Sequence, residues 1–429
     1  MQGITFTGRM EKLPRGVLCT AALMLFLAVV LRCFIFVFLR QIQVDFLAYL
    51  DVSANLLLGI DPYDVENVVF YKWGEPPIPF PGYMLFYAAP GLLMRFFPGT
   101  RPLILALHLL LQFLLLSTIC LWTGRRLGWL RSSLDVLTPG PRQLGLSCLF
   151  FVICNSSPVL TALRLGQSTI FIAAAILFTV WYQGGSCIVR PALFGIAAVF
   201  KYTMVPFLGF LFLAKRKLKL CVYGAGVFFL FALSPLLSGN NLLELYQKYV
   251  DVLKLSMRKG SLNSYEVSGY DMIHIGFFKL NTINIVLIVV VLLLLILVLI
   301  RAWKSHSLKD ETVLFVLCLT MLPTYHRLHD LVVILPLICL ISYQALFAKR
   351  VWVAAPGLIF LGFMLLPLSL LNRVAAKIGP FCNDFIYSSS SMGVDDIFPL
   401  QAIFMILVTC WAFYVCHHPL VGKQPIVAG

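Results

Sequence analysis

Charge is what this chain has least of. Of its 429 residues only 12% are Asp, Glu, Lys or Arg while 60% are hydrophobic, against about a quarter charged in ordinary soluble domains. So few charges cannot cover a water-facing surface, and the bilayer must serve as the solvent. No CxxC pair occurs, and most of the twelve Cys (Cys19, Cys33, Cys120, Cys148, Cys154, Cys318, Cys339 and Cys410) stand inside apolar runs. That supports neither a disulfide framework nor a zinc site and leaves them as small apolar residues. A Gly-rich phosphate loop, an internal repeat and a low-complexity tract are all missing, so residues 1–429 read as one membrane domain. No DxD acidic pair stands in the first loop, and neither a metal nor another cofactor is expected. His417-His418 lacks an acidic or Cys partner and offers no metal site.

What the chain does have is long apolar runs. Ile285 to Ile300 contains no polar residue, and with its flanks from Leu280 to Trp303 it exceeds the roughly 20 residues that span a bilayer. In lipid every backbone polar group must be satisfied internally, which leaves helices or closed barrels. Continuous rather than alternating runs select helices. The first run, Val17 to Leu39, is too long for a signal-peptide core and lacks a small-residue cleavage site, so it is expected to stay as an anchor. The net charge of +15 comes from short basic clusters between the runs. Such clusters are the mark of cytoplasmic loops, so no nucleic acid is expected as a partner.

Arg9, Lys12 and Arg15 place the N-terminus in the cytoplasm, and the chain then emerges into a polar stretch. The next apolar piece, Gly82 to Phe97, decides the topology. If it lies in the outer interface rather than crossing, Arg125, Arg126, Arg131 and Arg142 fall inside, as the charge rule prefers. Spans are then expected at 102–123, 144–161, 168–183, a short pair near 191–201 and 203–214, 219–236, 280–302, 311–325, 330–348, 351–371 and 397–416. The expectation is an all-α polytopic, multi-pass protein of the plasma membrane with about twelve crossings. Extracytoplasmic segments fall at 41–101 (with interfacial helices), 237–279 and 372–396.

The first of these segments carries the most informative pattern. From Asp45 to Leu58 apolar residues recur at helical spacing, while Asp45, Tyr49 and Ser53 share a more polar face. This predicts a helix lying flat at the interface, ended by Gly59 and followed by turn chemistry at Asp61-Pro62-Tyr63. An acid directly after the first span, "A..LL.G.DPYD", and the Pro-rich stretch Glu75-Pro76-Pro77, Pro79, Pro81 together resemble family 87 glycosyltransferases. So do, in order, Arg164-Leu165-Gly166-Gln167, Gly195 through Lys201 to Pro206, and Tyr325-His326-Arg327 through Asp330 to Pro336. The sequence departs from many relatives at Phe80-Pro81-Gly82, where they carry Tyr-Pro-Pro. It departs again at Leu322-Pro323 and His326-Arg327, where they carry Ser-Pro and His-His, which leaves acceptor and sugar open.

The resemblance implies a C-type membrane glycosyltransferase fold and transfer from a polyprenyl-phosphate sugar, mannose or another hexose or pentose, to a lipid or glycan acceptor. Such transfer needs a base for the acceptor hydroxyl and cations for the departing phosphate. A carboxylate partly withdrawn from water is a better base, which selects Asp45, with Asp61 second and His326 as a further candidate. Arg164, Lys201 and Arg327 are the candidate phosphate ligands, because ionisable groups in apolar surroundings are functional candidates by default and guanidinium and ammonium both bind phosphate. Tyr49, Tyr63, Gln167 and Tyr325 complete the expected substrate contacts, and Asn263 to Asp271 has the position of a substrate-gating loop, with an ordinary polar loop as the equal alternative. The ordinary alternative for each cation is snorkelling to headgroups, which is the better account of Arg32. The rival class is a transporter of a lipid-linked sugar or other solute, in which binding groups sit at broken helices of repeated halves.

Overall fold

The computed structural model describes residues 24, 43–71, 79–129, 141–182, 188–259, 281–304, 308–322, 328–367, 370, 373–374, 377 and 400–418. Regular structure among these residues is helical, without a strand. The expected first span, Val17–Leu39, falls outside them except for Met24.

α1 (Val44–Leu57) occupies the helix expected after that span. Gly59 ends it in the left-handed region at φ 71°, and the backbone N–H of Tyr63 closes the following turn on Asp61 Oδ1 at 3.0 Å. The polar face is not left to solvent, however: Tyr49, Asp51 and Ser53 are buried with nearly all of the helix. α2 (Met84–Phe96) covers it. The two backbones approach closely because residue 91 is glycine; a Cβ there would lie 2.6 Å from the Leu50 carbonyl oxygen. The buried Asp51 carboxylate accepts from the N–H groups of Val69, Phe70 and Tyr71 at 3.1, 2.8 and 2.7 Å, which ties the segment after α1 back onto the helix.

α3 (Arg101–Arg126) has 26 residues, about 39 Å at 1.5 Å per residue and longer than a hydrocarbon core of about 30 Å. The expected span 144–161 is instead two helices, α4 (Pro141–Cys154) and α5 (Ser157–Leu165), bent by 61°. Ser156 is extended and Pro158 stands in the first turn of α5, where a ring without an N–H is tolerated but cannot continue a helix from before it. α6 (Thr169–Trp181), α7 (Val189–Phe200) and α8 (Val205–Ala214) follow, with α7 and α8 interrupted at Lys201–Met204. Next come α9 (Leu218–Ala232), α10 (Leu242–Lys259), α11 (Asn281–Lys304), α12 (Asp310–Met321), α13 (Leu335–Phe347), α14 (Val351–Leu365) and α15 (Leu400–His417).

α12 and α13 are buried over most of their length and form the centre. α3, α9 and α11 turn large apolar side chains outward, among them Leu107, Leu111, Phe229, Leu230, Leu293 and Leu297. An apolar exterior of this extent marks a protein solvated by lipid. By length and hydropathy two stretches of the described residues can cross a bilayer, Pro98–Arg126 and Leu218–Ser238, and a third if α4 and α5 count as one broken span. The apolar helices α6, α7, α8, α13 and α14 and the stretch Ile403–His417 of α15 are 10–17 residues long, so about twelve full crossings are not established by helix length.

Candidate active site

Three helices meet where α1 begins. Gln43 enters α1 in a left-handed conformation at φ 36°, and its N–H donates to the carbonyl of Arg164 in the last turn of α5 at 2.9 Å. Gly166 then turns the chain at φ 70°, and a Cβ at that point would lie 2.7 Å from Phe46 Cβ. Glycine is therefore required twice over, for its dihedral and for the close approach. The turn delivers Gln167 to α1. Its Nε2 donates to Asp45 Oδ2, and its Oε1 accepts from the Tyr49 hydroxyl at 2.8 Å.

α3 supplies a second layer of polar groups. Gln112 Nε2 donates to the Gln167 carbonyl at 3.0 Å and lies 3.2 Å from His108 Nε2. His108 Nδ1 lies 3.2 Å from Gln43 Oε1, and the imidazole stacks on Phe46 with centroids 3.7 Å apart and rings within 2° of parallel. The half-buried Asp45 is thus aimed by a side-chain amide that is itself held from behind. His108 and Gln112 were not singled out from the sequence. The available signal was two polar residues one turn apart on one face of an otherwise apolar run, which in lipid must find partners.

Burial pushes the Tyr49 hydroxyl well above its ordinary pKa, with the Asp45 carboxylate the next cause and Asp330 a smaller one. Tyr49 therefore stays protonated and donates. Burial does the same to Tyr83, again with Asp330 among the causes; the two tyrosine rings meet edge to face at 5.1 Å. Asp330 belongs to the 3-10 turn Leu328–Val333, which packs on α5 and α6. Its Oδ1 lies 2.8 Å from Lys201 Nζ and 3.6 Å from His329 Nε2. Lys201 itself stands at the α7–α8 break, beside the Phe200 carbonyl that accepts from the Tyr83 hydroxyl at 3.0 Å. The Asp330 carboxylate paired with Lys201 therefore acts on both tyrosines, one of which donates within the Asp45 site.

Asp61 and Tyr63 lie beyond the far end of α1, about 18 Å of helix away from Asp45. Asp61 pairs with Lys248 of α10 at 3.0 Å, and Lys248 also reaches Glu244 at 2.8 Å. The bonds to Glu244 and Asp61 push the Lys248 ammonium up to about 12. Tyr63 is buried and its hydroxyl donates to the Pro79 carbonyl at 2.9 Å. A line of rings from Tyr83 through Phe80 and Tyr249 to Tyr63, with centroids 5.7 to 6.4 Å apart, connects the two ends. Of the expected residues, then, the structure gathers Asp45, Tyr49, Gln167 and the Arg164 backbone, pairs Lys201 with Asp330, whose charge reaches Tyr49, and places Asp61 and Tyr63 elsewhere. Tyr325, His326 and Arg327 lie outside the described residues. Among the described residues no three His, Cys, Asp or Glu side chains cluster as a metal site would need.

Fold and site together define an all-α membrane protein that collects acid, amide and ammonium groups where short helices break. The profile of glycosyltransferase family 87 matches residues 80–325, more than half of the chain. The chain belongs to glycosyltransferase family 87 and is a membrane glycosyltransferase, which moves a sugar from a donor to an acceptor. The match takes in Arg164, Gln167, Lys201 and Tyr325, whereas α1 with Asp45 precedes it and His326 and Arg327 follow it. No curated protein and no solved structure gives a significant match.

Proposed function

We propose that the protein is a polyprenyl-phosphate-sugar-dependent hexosyltransferase of C-type fold, working at the extracytoplasmic face of the plasma membrane with Asp45 as general base. The observation that carries this reading is the Asp45 carboxylate, half-buried at the start of α1 and oriented by the Gln167 amide. A base must be held within hydrogen-bond reach of the proton that it takes, and an amide donor to one carboxylate oxygen orients the group and leaves the other oxygen to accept. The acceptor hydroxyl loses its proton to Asp45 as its oxygen attacks the anomeric carbon. The bond from that carbon to the phosphate oxygen breaks in line, and polyprenyl phosphate departs with the electron pair.

Lys201, Arg164 and Arg327 are the cations for the departing phosphate, and His326 is the group that moves or donates a further proton. Asp330 does not disqualify Lys201. An ammonium has three donors, and a carboxylate on one side aims the others. The acceptor is a lipid or a glycan chain, drawn from the same membrane surface.

The test is transfer of radiolabel from purified polyprenyl-phosphate sugars to an acceptor in membrane extract. A labelled product that depends on Asp45 is expected; product formed only from a nucleotide sugar would overturn the donor assignment. The break at α7–α8 is a feature that a transporter of lipid-linked sugars would also use. Label that crosses proteoliposomes unchanged, with no product, would select that class. For orientation, Glu66→Cys in an otherwise Cys-less chain should react with an impermeant thiol reagent from outside, and Lys349→Cys only after the membrane is opened. The reverse pattern would put the site in the cytoplasm.

A further inference from the structure

Away from α1, four helix ends meet around a second set of cations. Lys215 follows α8, Arg301 and Ala302 stand in the last turn of α11, Lys309 precedes α12, and Cys416 stands in the last turn of α15. With Val298 and Thr312 they line a cavity of about 70 Å³. One water needs about 10–15 Å³ on that measure, so the space suits several waters or one phosphate group. Lys215 Nζ donates to the Ala302 carbonyl at 2.5 Å, which fixes its ammonium at the wall. Burial pushes the Lys215 ammonium below its ordinary pKa, and the like charge of Lys309 pushes it the same way.

Among the described residues, the neighbouring acids Asp310 and Glu311 stand outside the cavity lining. Asp310 is engaged by Arg126 Nη2 at 2.7 Å and by Trp181 Nε1 at 2.8 Å. Glu311 lies within electrostatic reach of Lys309, Arg126 and Cys416 but does not line the cavity. Just beyond the rim, Arg216 lies over the Trp303 ring at 5.8 Å, an aromatic and cation pair of the kind that sits at headgroup depth. Lys215 and Arg301 stand at helix C-termini, where a cation complements the dipole, and Lys309 stands before the N-terminus of α12; single cations at such ends also snorkel to the headgroups. Neither role needs three of them on one cavity wall.

We propose that this cavity binds a phosphate group, presented by an anionic phospholipid of the leaflet that the basic end of the bundle faces. Basic pockets between membrane helices suit such headgroups, and two of the lining cations, Arg301 and Lys309, are exposed. The site lies among residues that the transfer chemistry does not use.

The test uses the full-length protein in neutral detergent, titrated separately with phosphatidylglycerol, phosphatidylcholine and inorganic phosphate, with binding read by native mass spectrometry and by the melting temperature. Phosphatidylglycerol should bind and raise the melting temperature. The double variant Arg301→Gln/Lys309→Gln, both positions being exposed, should melt like the parent without lipid and bind phosphatidylglycerol at least about tenfold more weakly. Lys349→Gln, which loses a charge in the α13–α14 turn outside the cavity, should bind as the parent does. Equal weakening in Lys349→Gln, or equal binding of phosphatidylcholine, would show a general charge effect and overturn the site. Inorganic phosphate that competes at the lipid's own affinity would overturn the lipid assignment and leave a site for soluble phosphate.

Discussion

The two polar regions of this molecule handle charge in opposite ways. Around α1 the ionisable groups are partnered one by one, Asp45 with Gln167, Lys201 with Asp330 and Asp61 with Lys248. At the other region Lys215, Arg301 and Lys309 share one cavity whose lining, among the described residues, holds no carboxylate. Partnering fixes geometry, which a chemical step needs, at the cost of some net field. Crowding of like charge leaves a field and fixes little, which suits capture of an anion from a surface. A bundle with few charges can still build both kinds of site, because each is made where helices end.

The sharpest break of that comparison is Asp45→Asn, which keeps the Gln167 contact sterically and removes the base. Turnover should fall by about 10²–10⁴-fold while the melting temperature and donor binding hold. Near-parental turnover of the folded variant would move the base elsewhere.

Lys201→Met comes next. It leaves Asp330, only 2% exposed on its side chain, without its ammonium, and breaking such a pair costs about 3–5 kcal/mol. The expected loss of melting temperature should be largely recovered in Lys201→Met/Asp330→Asn, whereas activity should stay low in both. If the double variant regains activity, Lys201 serves only the fold and the phosphate cations lie elsewhere.

Gly166→Ala tests whether backbone conformation delivers Gln167. A left-handed residue with a Cβ costs roughly 1–2 kcal/mol, and the contact with Phe46 adds to it. Stability and turnover should drop together, and an unchanged turnover would show that the approach of α5 to α1 does not set Asp45.

The smallest effect belongs to Lys248→Gln, since an ion pair so open to solvent contributes about 0–1 kcal/mol. Its sign with pH is fixed nonetheless. The ammonium is raised from 10.5 to about 12 by Glu244 and Asp61, so the pair's contribution is present below 10.5 and disappears as pH climbs through 12. Urea or thermal curves of parent and variant should therefore converge above that range.

Much of the architecture was written in the chain. Apolar runs bounded by basic clusters placed nearly every helix, because in lipid a run of that kind has no alternative but to satisfy its own backbone. Gly59 and Asp61-Pro62-Tyr63 announced the end of α1, since φ above zero and a side-chain-capped turn are local properties. Asp45, Tyr49 and Gln167 were legible as candidates from their positions and their resemblance to a family.

Other features depended on which helix lies against which. The polar face of α1 was expected at a surface and is buried, because α2 closes on it through Gly91. The span expected at 144–161 is bent, since Ser156 and Pro158 stop a helix that its hydropathy alone would continue. His108 and Gln112 looked like incidental polar residues of a span until α3 brought them behind Gln167. Hydropathy and turn chemistry are sums over neighbours in sequence, so they are fixed once the sequence is. Which carboxylate meets which ammonium across more than a hundred residues, as Asp330 meets Lys201, depends on side-chain contact over a few ångströms, and only the packed bundle decides it.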